Sequence, residues 1–244
     1  MNVLILGATR GMGRALARKY AARGAALALL GRDAEDLQRT AADLVARGAS
    51  AAVQVACDLE KTETILPALH TGSTALGRVD VIVLTAGIYA SQESLEASPD
   101  LTEKLLRVNL IATIRFCEAA REVLAVQGGG TLCVFSSVAG DRGRKPVAIY
   151  GASKAALSHY LESIGYRDHE RGIKVVCVKP GFVHTDMTAG LKPPPFAGDP
   201  DAVADVVIRA IDRGTPVVYA PRIWGLMMAL IKRLPRAFMR RAKF

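Results

Sequence analysis

Tyr150 and Lys154 stand at i and i+4 in Tyr150-Gly-Ala-Ser-Lys154, a spacing that puts a phenol and an ammonium on one face of a helix. A free phenol titrates near about 10, too high to exchange protons readily at neutrality, and a cation within a few ångströms favours phenolate. That is the requirement of a general acid or base. A lone pair of this kind is ordinary in helices. Here Ser137 comes 13 residues before Tyr150 and just past the apolar run Thr131–Phe135, at the carboxyl end where open parallel sheets bind ligands. Ser136 competes for the same role, but alternation along an extended segment turns it to the opposite face.

A second group of residues suits a dinucleotide. Gly7, Gly11 and Gly13, with Thr9, Arg10 and Met12 between them, follow the apolar run Val3–Leu6 and open a helical stretch, Arg14–Arg23. Small residues let the backbone approach a pyrophosphate whose charge the helix N-terminus favours. The next apolar run, Ala25–Leu30, ends in Gly31-Arg32-Asp33. Asp33, 20 residues after Gly13, is a candidate acid for the ribose hydroxyl of NAD. Arg32 and Arg10 instead converge on the 2′-phosphate of NADP. Two arginines outweigh one acid that can equally start the next helix, so NADP(H) is expected over NAD(H).

Arg107-Val-Asn-Leu110, Ala86-Gly87 and Pro180-Gly181 complete a set whose order and spacing resemble the short-chain dehydrogenase/reductase family over residues 1–220. The resemblance implies a ketone/alcohol oxidoreductase with a tetrad of Asn109, Ser137, Tyr150 and Lys154. Tyr150 would protonate the carbonyl oxygen as hydride arrives, with Ser137 bonded to that oxygen. Lys154 would depress the phenol pKa and hold the nicotinamide ribose, and Asn109 would support a water-linked proton path. The resemblance also assigns Asp58 and Leu59 to the adenine, Ala86 and Gly87 to the cleft, and Pro180, Val183 and Thr185 to the nicotinamide side. Leu6 and Leu84-Thr85 depart from the family's usual residues, which puts cofactor affinity in doubt.

These residues need a frame. Further apolar runs at Ala51–Ala56, Val79–Leu84, Ile173–Val178 and Pro216–Tyr219 alternate with helix-compatible segments. Continuous rather than alternating apolar runs are what strands covered on both faces require. The expectation is an α/β, Rossmann-type doubly wound sheet of seven parallel strands in one catalytic domain, residues 1–221. Lys192-Pro-Pro-Pro195 reads as a loop near the active site. The helices about Leu101–Val126 and Tyr150–Glu170 are expected to build a homodimer or homotetramer, mainly by the family resemblance.

The chain has 244 residues and a net charge of +9. Residues 222–244 hold seven basic residues and no acid, leaving +2 elsewhere, so the charge belongs to a tail and does not indicate nucleic acid. Ile223–Ile231 carries no charge and includes Trp224. It is too short to span a bilayer and is read as an amphipathic segment lying at a membrane surface, with Trp224, Leu226 and Leu230 buried in lipid. A subunit interface or a substrate lid is the bland alternative. Cys57, Cys117, Cys133 and Cys177 form no CxxC pair, and the four histidines no ligand pattern; the expectation is buried reduced thiols, no metal and a cytoplasmic protein, peripheral at the inner membrane face where the tail binds. The first apolar run flows into the glycine loop and does not read as a signal peptide. The tail and the segment after Pro180 resemble a subgroup that reduces lipid-linked keto sugars, the decaprenylphosphoryl-2-keto-erythro-pentose reductases. The competing readings are 3-oxoacyl carrier-protein reduction and, from another class, an NADP-sensing or scaffold protein without catalysis.

Overall fold

The computed structural model describes residues 1–241. Seven strands, β1 (Asn2–Leu6), β2 (Ala26–Gly31), β3 (Ala51–Ala56), β4 (Val81–Leu84), β5 (Gly130–Phe135), β6 (Ile173–Pro180) and β7 (Val217–Ala220), form one sheet in the order β3-β2-β1-β4-β5-β6-β7. Every pairing is parallel. The order reverses between β1 and β4, where the crossovers lead to opposite faces and leave a crevice at the carboxyl edge. Leu6 pairs with both Leu30 and Leu84, so Gly7, Gly31 and Thr85 emerge side by side there.

The continuous apolar runs have the expected cause. Val3, Ile5, Leu27, Leu29, Val81 and Val83 face one core, shared with α1 (Gly11–Ala22), α2 (Ala34–Ala46) and α8 (Pro200–Arg213). Leu4, Leu6, Leu30, Ile82 and Leu84 face another, under α3 (Ile65–Leu76), α6 (Thr113–Val126) and α7 (Ala148–Arg167). Both faces of the central strands are covered, so neither set of alternate positions is polar.

The amino edge of the sheet is closed by side chains. The Asn2 amide donates to the carbonyls of Leu76 and Arg78 at 3.0 and 2.8 Å, and its backbone N–H to Asp80. The Gln127 side chain accepts from Val79 N and donates to the carbonyls of Val79 and Gly129. Arg121, 3% exposed, holds the fully buried Asp168 through two nitrogens and Glu118 through a third.

Two expectations need correction. The helix expected over Leu101–Val126 is α5 (Pro99–Leu106), a π-helical turn at Arg107–Ala112, and then α6. After α4 (Gln92–Ala97) and β7, the segment Ile223–Ile231 is a helix, α9, but Trp224 does not face outward. It is 7% exposed, packs with Val138 and Met228, and donates through Nε1 to the Phe196 carbonyl at 3.1 Å. Its indole fills the space a side chain at Gly181 would need, so protein packing outcompetes lipid for this ring. Leu226 and Leu230 stay 73% and 66% exposed. The last described helix, α10 (Arg236–Arg241), lies near the loop before α7, where Arg142 donates to the Leu234 carbonyl and Lys145 to that of Arg240. No helix among the described residues is long and apolar enough to cross a membrane.

Candidate active site

The cleft at the carboxyl edge measures about 300 Å³. Gly7, Thr9, Arg10, Gly11, Met12 and Gly13 line it, together with Arg32, Asp58, Leu59, Ala86, Gly87 and Thr185. Gly7 and Gly11 take positive φ values of 95° and 51°, and a Cβ at Gly13 would collide with the Gly7 carbonyl. Only glycine meets both demands at no cost.

Helices α2, α4, α5 and α8 each receive a side-chain cap, from Asp33, Ser91, Ser98 and Asp199. Helix α1, at the cleft, has Arg10 in the capping position, no side-chain cap and no acid in its first turn. Its first N–H groups and its dipole are therefore left for an anion. Together with the glycine cradle, this donor set fits the pyrophosphate of a dinucleotide.

Thr85, which departs from the family pattern, still braces the cleft. Its hydroxyl reaches the Leu6 and Gly7 carbonyls at 3.2 and 3.1 Å, bracing the glycine loop from the neighbouring strand. Arg10 and Arg32 are paired with Asp36 and Glu60 at 2.9 and 3.0 Å, while Asp33 spends its carboxylate on the α2 cap, accepting from Asp36 N, and is not among the cleft-lining residues. Pro180 and Val183 do not line the cleft either: Pro180 ends β6 opposite Ala220, and Val183 is 2% exposed in the core.

Ser137 follows β5 with extended backbone, and its hydroxyl accepts from Ala139 N at 3.1 Å. Ser136 turns the other way, donating to the Lys154 carbonyl and sharing a 2.7 Å bond with Ser158, which fastens α7 to the sheet. In the first turns of α7, Lys154 is 6% exposed and donates to the Phe135 carbonyl at 3.1 Å, with Nζ 5.8 Å from the Tyr150 ring centroid. Burial pulls the ammonium down to about 8. The expected depression of the phenol by Lys154 is absent: burial pushes Tyr150 up to about 12, and hydrogen bonding with Ser137 opposes that rise. Desolvation disfavours the charged form of both groups and outweighs their mutual attraction at this separation.

Asn109 sits in the π turn, fully buried, with Oδ1 accepting from Ile88 N at 2.9 Å and Nδ2 donating to Ile88 O at 2.8 Å. Both polar atoms are thus spent on the loop after β4, so the side chain clamps that loop. The clamp places Tyr89 edge-on to Tyr150, with centroids 5.2 Å apart at 83°. A Cβ on Gly87 would lie 3.1 Å from Asn109 Oδ1 and 3.8 Å from Lys154 Nζ, so these two side chains converge on the loop after β4. Sequence reasoning missed Tyr89, although an aromatic two residues past Ala86-Gly87 was a usable signal.

A family model described as short chain dehydrogenase matches residues 1–195. Carbonyl reductase family member 4 of Xenopus tropicalis is 33% identical over 212 residues, 84% of this chain and 88% of that protein. Human 3-oxoacyl-[acyl-carrier-protein] reductase is 31% identical over 188 residues, 77% of this chain and 78% of that protein. A short-chain type dehydrogenase/reductase from Mycobacterium marinum superposes with a TM-score of 0.82 at 24% identity, covering 91% of this chain and 94% of that one, a likeness of fold.

Proposed function

The chain belongs to the short-chain dehydrogenase/reductase family, as an oxidoreductase acting on CH–OH and ketone groups, and from that premise we propose that it reduces a ketone with NADPH. The observation that carries this reading is the gathering of Tyr150, Ser137 and Lys154 beside a cleft whose helix has an uncapped N-terminus. The glycine loop and the α1 N-terminus would hold the pyrophosphate, with Asp58 and Leu59 toward the adenine and Thr185 toward the nicotinamide side. The bound dinucleotide supplies the hydride.

Tyr150 gives its proton to the carbonyl oxygen, and Ser137 donates to that same oxygen as its charge grows. At about 12 the phenol holds a proton through the neutral range, so the resting form is the acid. The phenolate left behind is costly in a buried site, and the Lys154 cation lowers that cost as it forms. Asn109 acts through the loop it clamps. Arg32 and Arg10 favour NADPH over NADH because their side chains reach the cleft and the competing acid Asp33 is committed to a cap.

We place the substrate among lipid-linked ketones, a polyprenyl-phosphoryl keto sugar being the model. The exposed Leu226, Leu230 and Phe238 lie amid a basic segment, a combination suited to peripheral contact with an anionic membrane. The catalytic body is assigned to residues 1–221 and this contact to residues 222–244. Reduction of a 3-oxoacyl thioester is the second reading, favoured by the similarity to the human carrier-protein reductase. A ketone panel with NADPH, covering acyl thioesters, small ketones and polyprenyl-phosphoryl keto sugars, decides between them. Absence of turnover with every class would sink the ketoreductase reading. Assembly through the π turn, α6 and α7, where Ile111, Val126 and Tyr166 are exposed, makes a homodimer or homotetramer, and a monomeric mass by light scattering would exclude it.

A further inference from the structure

Arg144, in the loop between Ser137 and α7, has a buried guanidinium nitrogen, Nε, with no acceptor among the described residues. No carboxylate among them acts on it; the Tyr89 phenol is the one ionisable neighbour, and burial makes the charge harder to hold. Asp141, the nearest acid in sequence, is committed to Lys179 and Tyr219, each at 2.6 Å. The flanking cations are tethered: Arg142 to the Leu234 carbonyl and Lys145 to that of Arg240. Arg144 is thus the cation of this loop left to meet a ligand.

It lines a cavity of about 420 Å³, together with Gly143, Ala148, Gly151 and Met239, a volume of the order that small ligands occupy. The walls follow directly on Ser137 and Tyr150, and the Tyr150 ring stands edge-on to Tyr89. Ala148 begins α7, whose N-cap, Val147, offers no side-chain acceptor, so the helix dipole adds to the positive field. A buried guanidinium nitrogen without an acceptor is costly, and the folded chain gains nothing from it alone.

We propose that Arg144 and this cavity form a binding site for a phosphoryl group. A guanidinium presents paired donors that match phosphate oxygens, and small wall residues leave room for the group to approach. Two sources share the chemistry: a phosphoryl group on the ketone whose carbonyl meets Tyr150, which rests on the function proposed above, and a phospholipid headgroup beside the tail.

The test uses the full chain saturated with NADPH, so that the dinucleotide cleft is filled. Thermal unfolding is followed against inorganic phosphate for the wild type, Arg144→Lys and Arg144→Met. The wild-type midpoint should rise with phosphate, as binding to the folded state requires. Arg144→Lys should respond more weakly, and Arg144→Met should not respond, while starting from a higher midpoint without phosphate because the uncompensated charge is gone. A wild type indifferent to phosphate, an unaltered response in Arg144→Met, or a lower starting midpoint in that variant overturns the site; the last would mean a structural arginine.

Two further arms separate the sources. If the substrate carries the group, Arg144→Met should reduce the preference in kcat/KM for a phosphorylated ketone over its neutral counterpart by about tenfold or more. If a headgroup carries it, sedimentation with phosphatidylglycerol vesicles should fall in Arg144→Met and that preference should hold. Either result supports the site. A protein that answers to phosphate but reduces no ketone would refute the ketoreductase reading and leave the phosphoryl site standing.

Discussion

Arg121 is a buried arginine and Arg144 a half-buried one with its Nε enclosed, and they sit at opposite edges of the sheet and in opposite states. At the amino edge, Arg121 spends its donors on Asp168 and Glu118, while Asn2 and Gln127 tie the strand starts together. At the carboxyl edge, Arg144 Nε has no acceptor among the described residues, α1 has no cap, and Lys154 is held at about 8 by burial. The amino edge is closed by its own hydrogen bonds, Tyr20 excepted. The carboxyl edge carries groups that the chain does not satisfy, and buried polar groups left open are costly unless a ligand completes them. One edge is completed by the chain itself, and the other, at the candidate site, leaves groups open.

The division is broken or sharpened by substitution. Tyr150→Phe should lower turnover by about 10² to 10⁴ while NADPH still binds, since only the proton donor is lost; near-normal turnover would misplace the site. On the other edge, Asp168→Ala leaves Arg121 buried without its main partner and should cost about 3–5 kcal/mol in urea unfolding. Loss of activity without loss of stability there would dissolve the distinction.

Smaller changes refine it. Arg32→Ala should weaken NADPH binding by about ten- to a hundredfold and leave NADH nearly unaffected, because only the 2′-phosphate loses a charge-assisted bond; an equal loss for both removes the case for NADP. The reduction rate should decline as pH rises through about 8, where Lys154 in the free protein loses its charge. Stability should move the other way between about 8 and the ordinary lysine value of 10.5. In that window the unfolded chain keeps a proton that the folded one has released, so raising pH favours folding. Lys154→Met should flatten this slope, and a pH–stability curve that keeps it would assign it to another group.

The smallest effect concerns an exception. Tyr20, fully buried in α1 near the start of β2, has a hydroxyl without a partner among the described residues, though it lies on the closed edge. Tyr20→Phe should raise stability by about 1 kcal/mol and leave kinetics unchanged. A loss of activity would show that unpaired groups do not sort by edge.

The sheet, and the residue types that gather at the candidate site, were legible for physical reasons. Strands covered on both sides write themselves as unbroken apolar runs, and the glycine loop and the Tyr150/Lys154 spacing state their chemistry in residue type. Other features leave no such mark. Nothing in Arg107-Val-Asn-Leu-Ile-Ala112 separates a π turn from an α-helix, because the difference lies in hydrogen-bond partners. The Trp224 ring suits lipid and protein equally, and a gap beside Gly181, invisible in one dimension, decided for protein in the case of that ring alone. The reach of Thr85 across to Gly7 and the desolvation of Lys154 likewise depend on neighbours distant in sequence.

The π turn at Arg107–Ala112 puts part of the site under the control of residue count. Removing one residue there would return the helix to regular winding, but each residue of an α-helix turns it by about 100°. The Asn109 amide and the buried face of α6 could then not both keep their bearings. Substitution scans, which preserve length, would pass over this dependence, whereas a single-codon deletion at Leu110 would expose it as a loosened Ile88 loop in an otherwise folded protein. The clamp is encoded by an inserted step in the backbone as much as by the asparagine that uses it.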